Sequence, residues 1–269
     1  MTIQNNFQEM ALEILNSNKY KGLGIPVVTV LDILMREFNT SQDEKVAIKA
    51  TRKKIHQLMA PYLDTTNYEA AVELLQKAVQ SRDVEELHTA CRHILAQHAS
   101  TLERLPILDT FYHTIFQHIG KPRIILDLAC GLNPLTIPWM NLDEDVQYHA
   151  FDIHQPRIEF INHFFSIMNF PELAKVQDVL VEPPSEKADV AFFFKEAHRM
   201  EQRRRGSNRE LWRELKVDTL LVSLPINSLS GRHDLRAQMR HLVETTMKGN
   251  SWQMTEIIFE NEMVFCIKK

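Results

Sequence analysis

The sequence predicts an α/β fold in which an all-helical N-terminal segment precedes a mostly parallel sheet with helices on both faces. Three observations carry this. Apolar residues recur at helical spacing up to about residue 118. Beyond about residue 120, short apolar runs alternate with helical stretches. The last two runs are joined by a short turn, as in an antiparallel hairpin.

In the N-terminal segment the helical positions are Met10, Leu12, Ile14 and Leu15; Val30, Ile33, Leu34 and Phe38; Val46, Ile48, Ile55 and Leu58; and Ala70, Val72, Leu75 and Val79. Each set lays an apolar stripe along one side of a helix, which has to be buried against a partner. Ser41-Gln42-Asp43-Glu44 reads as a helix start with a capping box. Thr66-Asn67-Tyr68-Glu69 reads as another start, with Thr66 or Asn67 as the cap. Pro61 marks a break between them.

The strand-like runs are 123–128, 146–152, 174–180, 188–194, 219–224, 254–259 and 263–267, with a helix over 156–169 after the second. Strands separated by helices pair in parallel, because the crossover needs a helix on the sheet face. A final hairpin on such a sheet is the mark of the Rossmann-like class I methyltransferase plan, here with seven strands. The expected division is a helical domain over 1–100 and an α/β domain over 101–269.

Composition excludes little. Hydrophobic residues are 44% and charged residues 25%, and the net charge of −4 leaves nucleic-acid contact to a local basic face. Cys91, Cys130 and Cys266 are scattered, with no CxxC pair, so neither a zinc ribbon nor a disulfide framework is expected and a reducing, cytoplasmic setting is. The N-terminal stretch lacks the basic and apolar regions of a secretion signal, and no apolar run reaches the ~20 residues that span a bilayer. His88, His93 and His98 are spaced by five, which does not align them on one helical face, so no metal site is expected.

The chemistry concentrates at the strand ends. In Leu126-Asp-Leu-Ala-Cys-Gly-Leu-Asn-Pro134 a strand ends, small residues follow and a helix begins. Ala129 and Gly131 let a ligand approach the backbone. A pyrophosphate cradle would need G-x-G-x-x-G, whereas this loop has one Gly, and Asp127 would repel phosphate. Asp127 can instead meet a cationic amino group, and S-adenosylmethionine carries an amino group and a sulfonium. Asp152, 21 residues past Gly131, ends the second strand, where an acid takes ribose hydroxyls. Asp178 follows the third, where an acid accepts from the adenine amine.

With these residues in place the chain resembles the aminoglycoside-resistance 16S rRNA (guanine-N7) methyltransferases of the decoding site, the guanine-1405 type. The specific strings are His98-Ala-Ser-Thr-Leu-Glu-Arg-Leu-Pro106 and Leu126 to Pro134. Pro138-Trp139-Met140, Phe151-Asp-Ile-His154, Gln177-Asp-Val-Leu180, Arg205-Gly-Ser207, Ser228-Leu229 and Glu262-Met-Val-Phe-Cys-Ile267 follow in order. The resemblance implies that Arg104 grips the cofactor carboxylate bidentately, with His98, Ser100 and Thr101 shaping that side. It implies that Ala129 and Gly131 line the methionine portion, that Asp152 and Ile153 hold ribose and adenine, and that Asp178 and Val179 hold adenine. Lys195 falls where the substrate base enters and is the one candidate catalytic side chain. No base is required, because guanine N7 carries a lone pair and no proton at neutral pH. Two segments depart from the family. Glu196-Ala-His-Arg-Met200 replaces an apolar, proline-containing turn, and Leu224-Pro-Ile-Asn-Ser-Leu-Ser230 replaces a Phe-Pro-Thr segment with a following basic residue.

Phe192, Phe193, Phe194 and Trp139 are the aromatic candidates to stack a flipped base. Lys45, Lys49 and Arg52 (or Lys53) share a helical face. With Lys19, Lys21, Lys54, Arg203, Arg204 and Arg205 they form the expected contact to 16S rRNA within the 30S subunit. The alternatives are a methyltransferase for another RNA site or a small molecule, and a module that binds cofactor or RNA without turnover.

Overall fold

The computed structural model describes residues 3–60, 66–228 and 233–269. Helices α1 (Ile3–Leu15), α2 (Val27–Ser41), α3 (Glu44–Met59), α4 (Tyr68–Ser81), α5 (Val84–Leu95), the single turn α6 (Ala99–Leu102) and α7 (Leu108–Ile119) precede the sheet. Then come β1 (Ile124–Leu128), β2 (Gln147–Asp152), α8 (Gln155–Ile167), β3 (Ala174–Val176), β4 (Lys187–Phe194), α9 (Ala197–Arg203) and α10 (Ser207–Glu214). The chain ends with β5 (Lys216–Pro225), α11 (Arg236–Met247), β6 (Gln253–Ile258) and β7 (Glu262–Lys268).

The helix starts have local causes. Asn67 caps α4 by accepting from the Ala70 amide at 3.1 Å. Helix α3 begins at Glu44 as expected, but its cap is Asp43, which accepts from the Val46 amide at 3.0 Å. The anticipated capping box does not form, because the Ser41 hydroxyl is engaged with the backbone of Asp43. Asp43→Ala is therefore expected to cost about 1 kcal/mol of stability. Thermal unfolding checks this, and an unchanged midpoint would assign the cap no weight. Pro61 lies outside the described residues.

The seven strands run in the order β3-β2-β1-β4-β5-β7-β6. All pairings are parallel except those of β7, which inserts antiparallel between β5 and β6. Successive strand residues alternate between two apolar layers, as the period of two requires. Ile125, Val190, Phe192, Leu221, Val264 and Cys266 face one layer. Leu126, Ala191, Phe193, Val222, Phe265 and Ile267 face the other.

Strand β3 is shorter than the predicted run over 174–180. The Gln177 amide still donates to the Asp152 carbonyl at 2.9 Å, but the chain then turns, with the Val181 and Glu182 amides donating to the Asp178 carbonyl. After β1 the expected helix is a 3-10 segment, Asn133–Trp139. Pro138 lies inside it and has no N–H to donate, which precludes a regular α-helical turn.

The sequence divides the chain near residue 100, whereas the apolar clusters divide earlier. Leu75, Cys91, Ile94 and Leu95 of α4 and α5 share a core with Phe111, Ile125 and Phe164. Ala11, Ile14, Val30, Ile33 and Ile55 of α1 to α3 form a separate cluster, which Ile153, in the turn just after β2, joins. Gly24, at φ +60°, sits where a Cβ would lie 2.2 Å from that of Gln155, so this helical unit meets α8 by backbone contact.

Candidate cofactor site and RNA face

The carboxyl ends of β1, β2 and β3, with the turn after β4, enclose two adjoining cavities of about 400 and 430 Å³. Asp152, Ile153, Asp178 and Val179 line the first. His98, Ser100, Thr101, Arg104, Asp127, Gly131 and Lys195 line the second, and Ala129 lines both. All the candidate cofactor residues thus line two neighbouring cavities that share Ala129 as a wall.

The loop after β1 is held open by its backbone. Ala129 at φ +50° and Gly131 at φ +55° both take left-handed conformations, which for Ala129 costs of order 1 kcal/mol or more and marks a functional loop. The Asp152 carboxylate fixes the loop, since one oxygen accepts from the Gly131 amide and the other from the His154 amide, each at 3.0 Å. Burial pushes Asp152 above the usual carboxylate range, opposed by the Arg157 charge and these amides.

His98 explains why residue 131 is glycine: a Cβ there would meet the imidazole Cε1 at 3.2 Å. Its Nδ1 lies 2.9 Å from the Ser100 hydroxyl. Burial, then the Arg157 and Arg199 charges, pull its pKa down to about 3, so the ring is neutral at physiological pH. The Thr101 hydroxyl is spent on backbone, within 2.6 Å of the Leu95 carbonyl and 3.0 Å of that of His98.

Asp127 is 1% exposed and receives hydrogen bonds from Asn133 Nδ2 at 2.9 Å and the Tyr148 hydroxyl at 2.7 Å. Burial raises its pKa to about 7, against the opposing effect of those two bonds and of Arg104. Asn133 passes the contact on: its Oδ1 accepts from Arg104 Nη1 at 2.6 Å and from the Tyr112 hydroxyl at 2.8 Å.

Arg104 corrects one expectation. Its guanidinium fork grips Glu262, with Nη2 to Oε1 at 2.6 Å and Nε to Oε2 at 3.2 Å, and Nη2 also reaches Ser223 at 3.4 Å. It packs in the corner formed by the near-perpendicular rings of Phe111 and Phe194, 4.5 and 4.6 Å from their centroids. With Asn133 taken as well, one of its five N–H groups is left for a ligand. A bidentate grip on a cofactor carboxylate is not available in this arrangement.

Lys195 follows β4 directly, with φ +60°. Its ammonium is 2.7 Å from Glu103 and 3.4 Å from Glu262. It is a fixed positive charge between two carboxylates, with Glu103 the more exposed of the pair. Of the stacking candidates, Phe192 and Phe193 are fully buried in opposite layers. Trp139 stacks on His88 at 4.3 Å beneath Arg92. Phe194 alone of the four lines the second cavity.

Asp178 does not present a free acceptor to a nucleobase. Arg203 grips it, with Nη1 3.0 Å from one oxygen and Nη2 2.5 Å from the other, while Thr29 of α2 donates at 2.8 Å and the Leu180 amide at 3.2 Å. Arg203 therefore points inward, away from the expected RNA surface, because α9 carries it over the end of β3. Arg204 is also turned in, onto Glu210 and the Leu180 carbonyl. Lys54 pairs with Glu37 and lines the first cavity. Lys19, Lys21, Lys53 and Arg205 are exposed, and Lys45, Lys49 and Arg52 line a shallow groove of about 240 Å³ with Ile48.

Sequence reasoning missed Glu262, Asn133, Thr29 and Glu196. Glu262 had a legible signal, since it is the acidic residue that opens the apolar run of β7. Thr29 had none, being one polar residue in an amphipathic helix. His88, His93 and His98 go to different places, and no cluster of metal-binding side chains occurs among the described residues.

Strand order, a reversed β7 and an acid-lined cleft at the carboxyl ends define a class I, S-adenosylmethionine-dependent methyltransferase. Comparison with known proteins narrows this. The model of the ribosomal RNA methyltransferase (FmrO) family matches residues 16–266, and the chain belongs to that family. The 16S rRNA (guanine(1405)-N(7))-methyltransferase of Micromonospora echinospora is 32% identical over 226 residues, 83% of this chain and 82% of the relative. An rRNA methylase structure from Escherichia coli is 29% identical at TM-score 0.76, covering 98% of this chain and all of its own. The 16S rRNA methyltransferase RmtF, solved with S-adenosyl-L-homocysteine, is 25% identical at TM-score 0.78 over 100% of this chain and 99% of its own. No helix among the described residues is long and apolar enough to cross a membrane.

Proposed function

We propose that this enzyme methylates N7 of guanine 1405 in 16S rRNA, on the 30S subunit in the cytoplasm, and so confers aminoglycoside resistance. The observation that carries the reading is the convergence of the candidate residues on two adjoining cavities, in a chain whose curated relatives bear that activity in their names. When bound, the cofactor supplies an electrophilic methyl: the guanine N7 lone pair forms the new N–C bond as the S–C pair passes to sulfur.

The protein's part is to position and to exclude water. In this reading Asp152 and Ile153 hold the ribose, and Val179 and the Asp178 turn bound the adenine. Ala129 and Gly131 admit the methionine portion, whose amino group faces Asp127. Arg104 offers its single remaining N–H to the carboxylate, with His98, Ser100 and Thr101 closing that end. Lys195 and Phe194 border the entry for the base. Lys45, Lys49 and Arg52 on α3, with Lys19, Lys21, Lys53 and Arg205, meet rRNA phosphates and make binding salt-dependent. The helical N-terminal part is thereby the RNA-reading unit and the sheet the catalytic one.

Incubation with labelled cofactor and isolated 30S subunits tests this. Label at guanine 1405, blocked by prior methylation of N7, is expected. Label at another nucleotide would redirect the assignment, and binding without transfer would make the chain a non-catalytic module.

A further inference from the structure

Ala129, Glu196 and Arg199 line both cavities. A cofactor with its nucleoside in the first cavity and its amino acid in the second has its sulfonium at that junction, because sulfur joins the two halves. Of the three junction residues, one brings a small side chain, one a guanidinium and one a carboxyl. We propose that Glu196 is a specificity-determining residue whose carboxylate holds the sulfonium, so that the site favours the charged methyl donor over the neutral thioether that remains after transfer. This rests on the path across the two cavities set out above and adds a residue that the family-like strings do not contain.

The surroundings support it. Glu196 precedes α9 directly after the left-handed Lys195, and its side chain is 13% exposed. Its present partner, Arg199 Nη1 at 3.1 Å, is 33% exposed and has solvent to turn into. Burial pushes the Glu196 carboxyl up to about 7, with Arg199 and Arg203 opposing and Asp152 reinforcing. Other charged groups on the first cavity are Asp32, Arg36 and Glu37 of α2, Lys54 of α3 and Asp178, the last held by Arg203. Towards the second cavity stand Lys195, paired with Glu103; Arg104, paired with Glu262; Asp127, which burial raises to about 7; and His98 and His198, both of which burial lowers.

The sign follows. A bound cation favours the ionised carboxylate, so below pH 7 the donor has to displace a proton and its affinity falls, whereas above pH 7 the carboxylate is already charged. The neutral thioether gains nothing from ionisation of Glu196. The amino group that both ligands carry meets Asp127, raised by burial to about 7, equally in each, so the ratio of the two affinities isolates Glu196.

Titration calorimetry with S-adenosylmethionine and S-adenosylhomocysteine, on the full chain and its Glu196→Gln variant at pH 6 and 8, tests the proposal. The donor-to-thioether affinity ratio of the native protein is expected to rise about tenfold more between these pH values than that of the variant. At pH 8 the variant should bind the donor about tenfold more weakly and the thioether within about twofold of native. Equal pH dependence of the ratio in both proteins would overturn the proposal. If the variant binds neither ligand, the native protein decides alone. Release of about half a proton more at pH 7 with the donor than with the thioether, read from buffers of different ionisation enthalpy, supports it, and equal release overturns it. Failure of the native protein to bind either ligand would instead remove the two-cavity reading beneath it.

Discussion

Glu262→Ala is expected to lower the free energy of unfolding by about 4 kcal/mol, because it leaves a buried guanidinium without its counter-charge. Glu262 is 0% exposed and Arg104 3%, and Lys195 Nζ lies 3.4 Å from the same carboxylate. Two buried cations therefore lose the anion they share, and only Lys195 has a second carboxylate, Glu103, to turn to. A fall of about 10 °C in melting temperature follows for a chain of this size. Burial raises the Glu262 pKa, but Arg104 and Lys195 outweigh it and hold the group below its ordinary value. The stabilisation is thus present above the usual carboxylate pKa and is lost as pH falls through the depressed one, so native and variant converge in acid. Replacing both Arg104 and Glu262 by Met should cost less than the sum of the two single changes, since the desolvation penalty leaves with the charges. A single-variant midpoint within about 2 °C of native would show that the pair carries no such weight.

Asp152→Ala is expected to weaken S-adenosylmethionine binding about a hundredfold or more. The carboxylate accepts the amides of Gly131 and His154 and faces the buried Arg157 guanidinium at 3.8 Å, and the ribose hydroxyls are proposed to take its remaining lone pairs. Two hydrogen bonds to a charged group at about 1.5 kcal/mol each give a factor of that order. Losing the tether also frees Gly131 to drift from His98, which widens the amino-acid end of the cleft. Asp152→Asn keeps one acceptor and should lose about tenfold. Calorimetry distinguishes the two, and Asp152→Ala binding within threefold of native would move the ribose site elsewhere.

The sheet was legible because its central strands are apolar runs whose residues face two apolar layers, as Val190 to Phe194 do; the edge strands β3 and β6 are more polar and exposed. The acids at strand ends were legible because they interrupt those runs at fixed places. What they bond to was not. Asp178 was readable as a strand-end acid, yet its saturation by Arg203 and Thr29 depends on partners 25 and 149 residues away. Arg104 meets Glu262 across 158 residues, so its fork could not be assigned from local pattern. The division near residue 100 followed helix content, whereas the cores divide by contact, and α4 and α5 are helices that the sheet claims as cover.

Helices α2 and α3 supply Asp32, Ile33, Arg36, Glu37, Lys54, Gln57 and Leu58 to one side of the first cavity. The catalytic half is therefore not a free-standing module. Cutting the chain ahead of α4 would strip a wall from the place where the nucleoside is held, and grafting a foreign recognition unit there would succeed only if the graft rebuilt that wall.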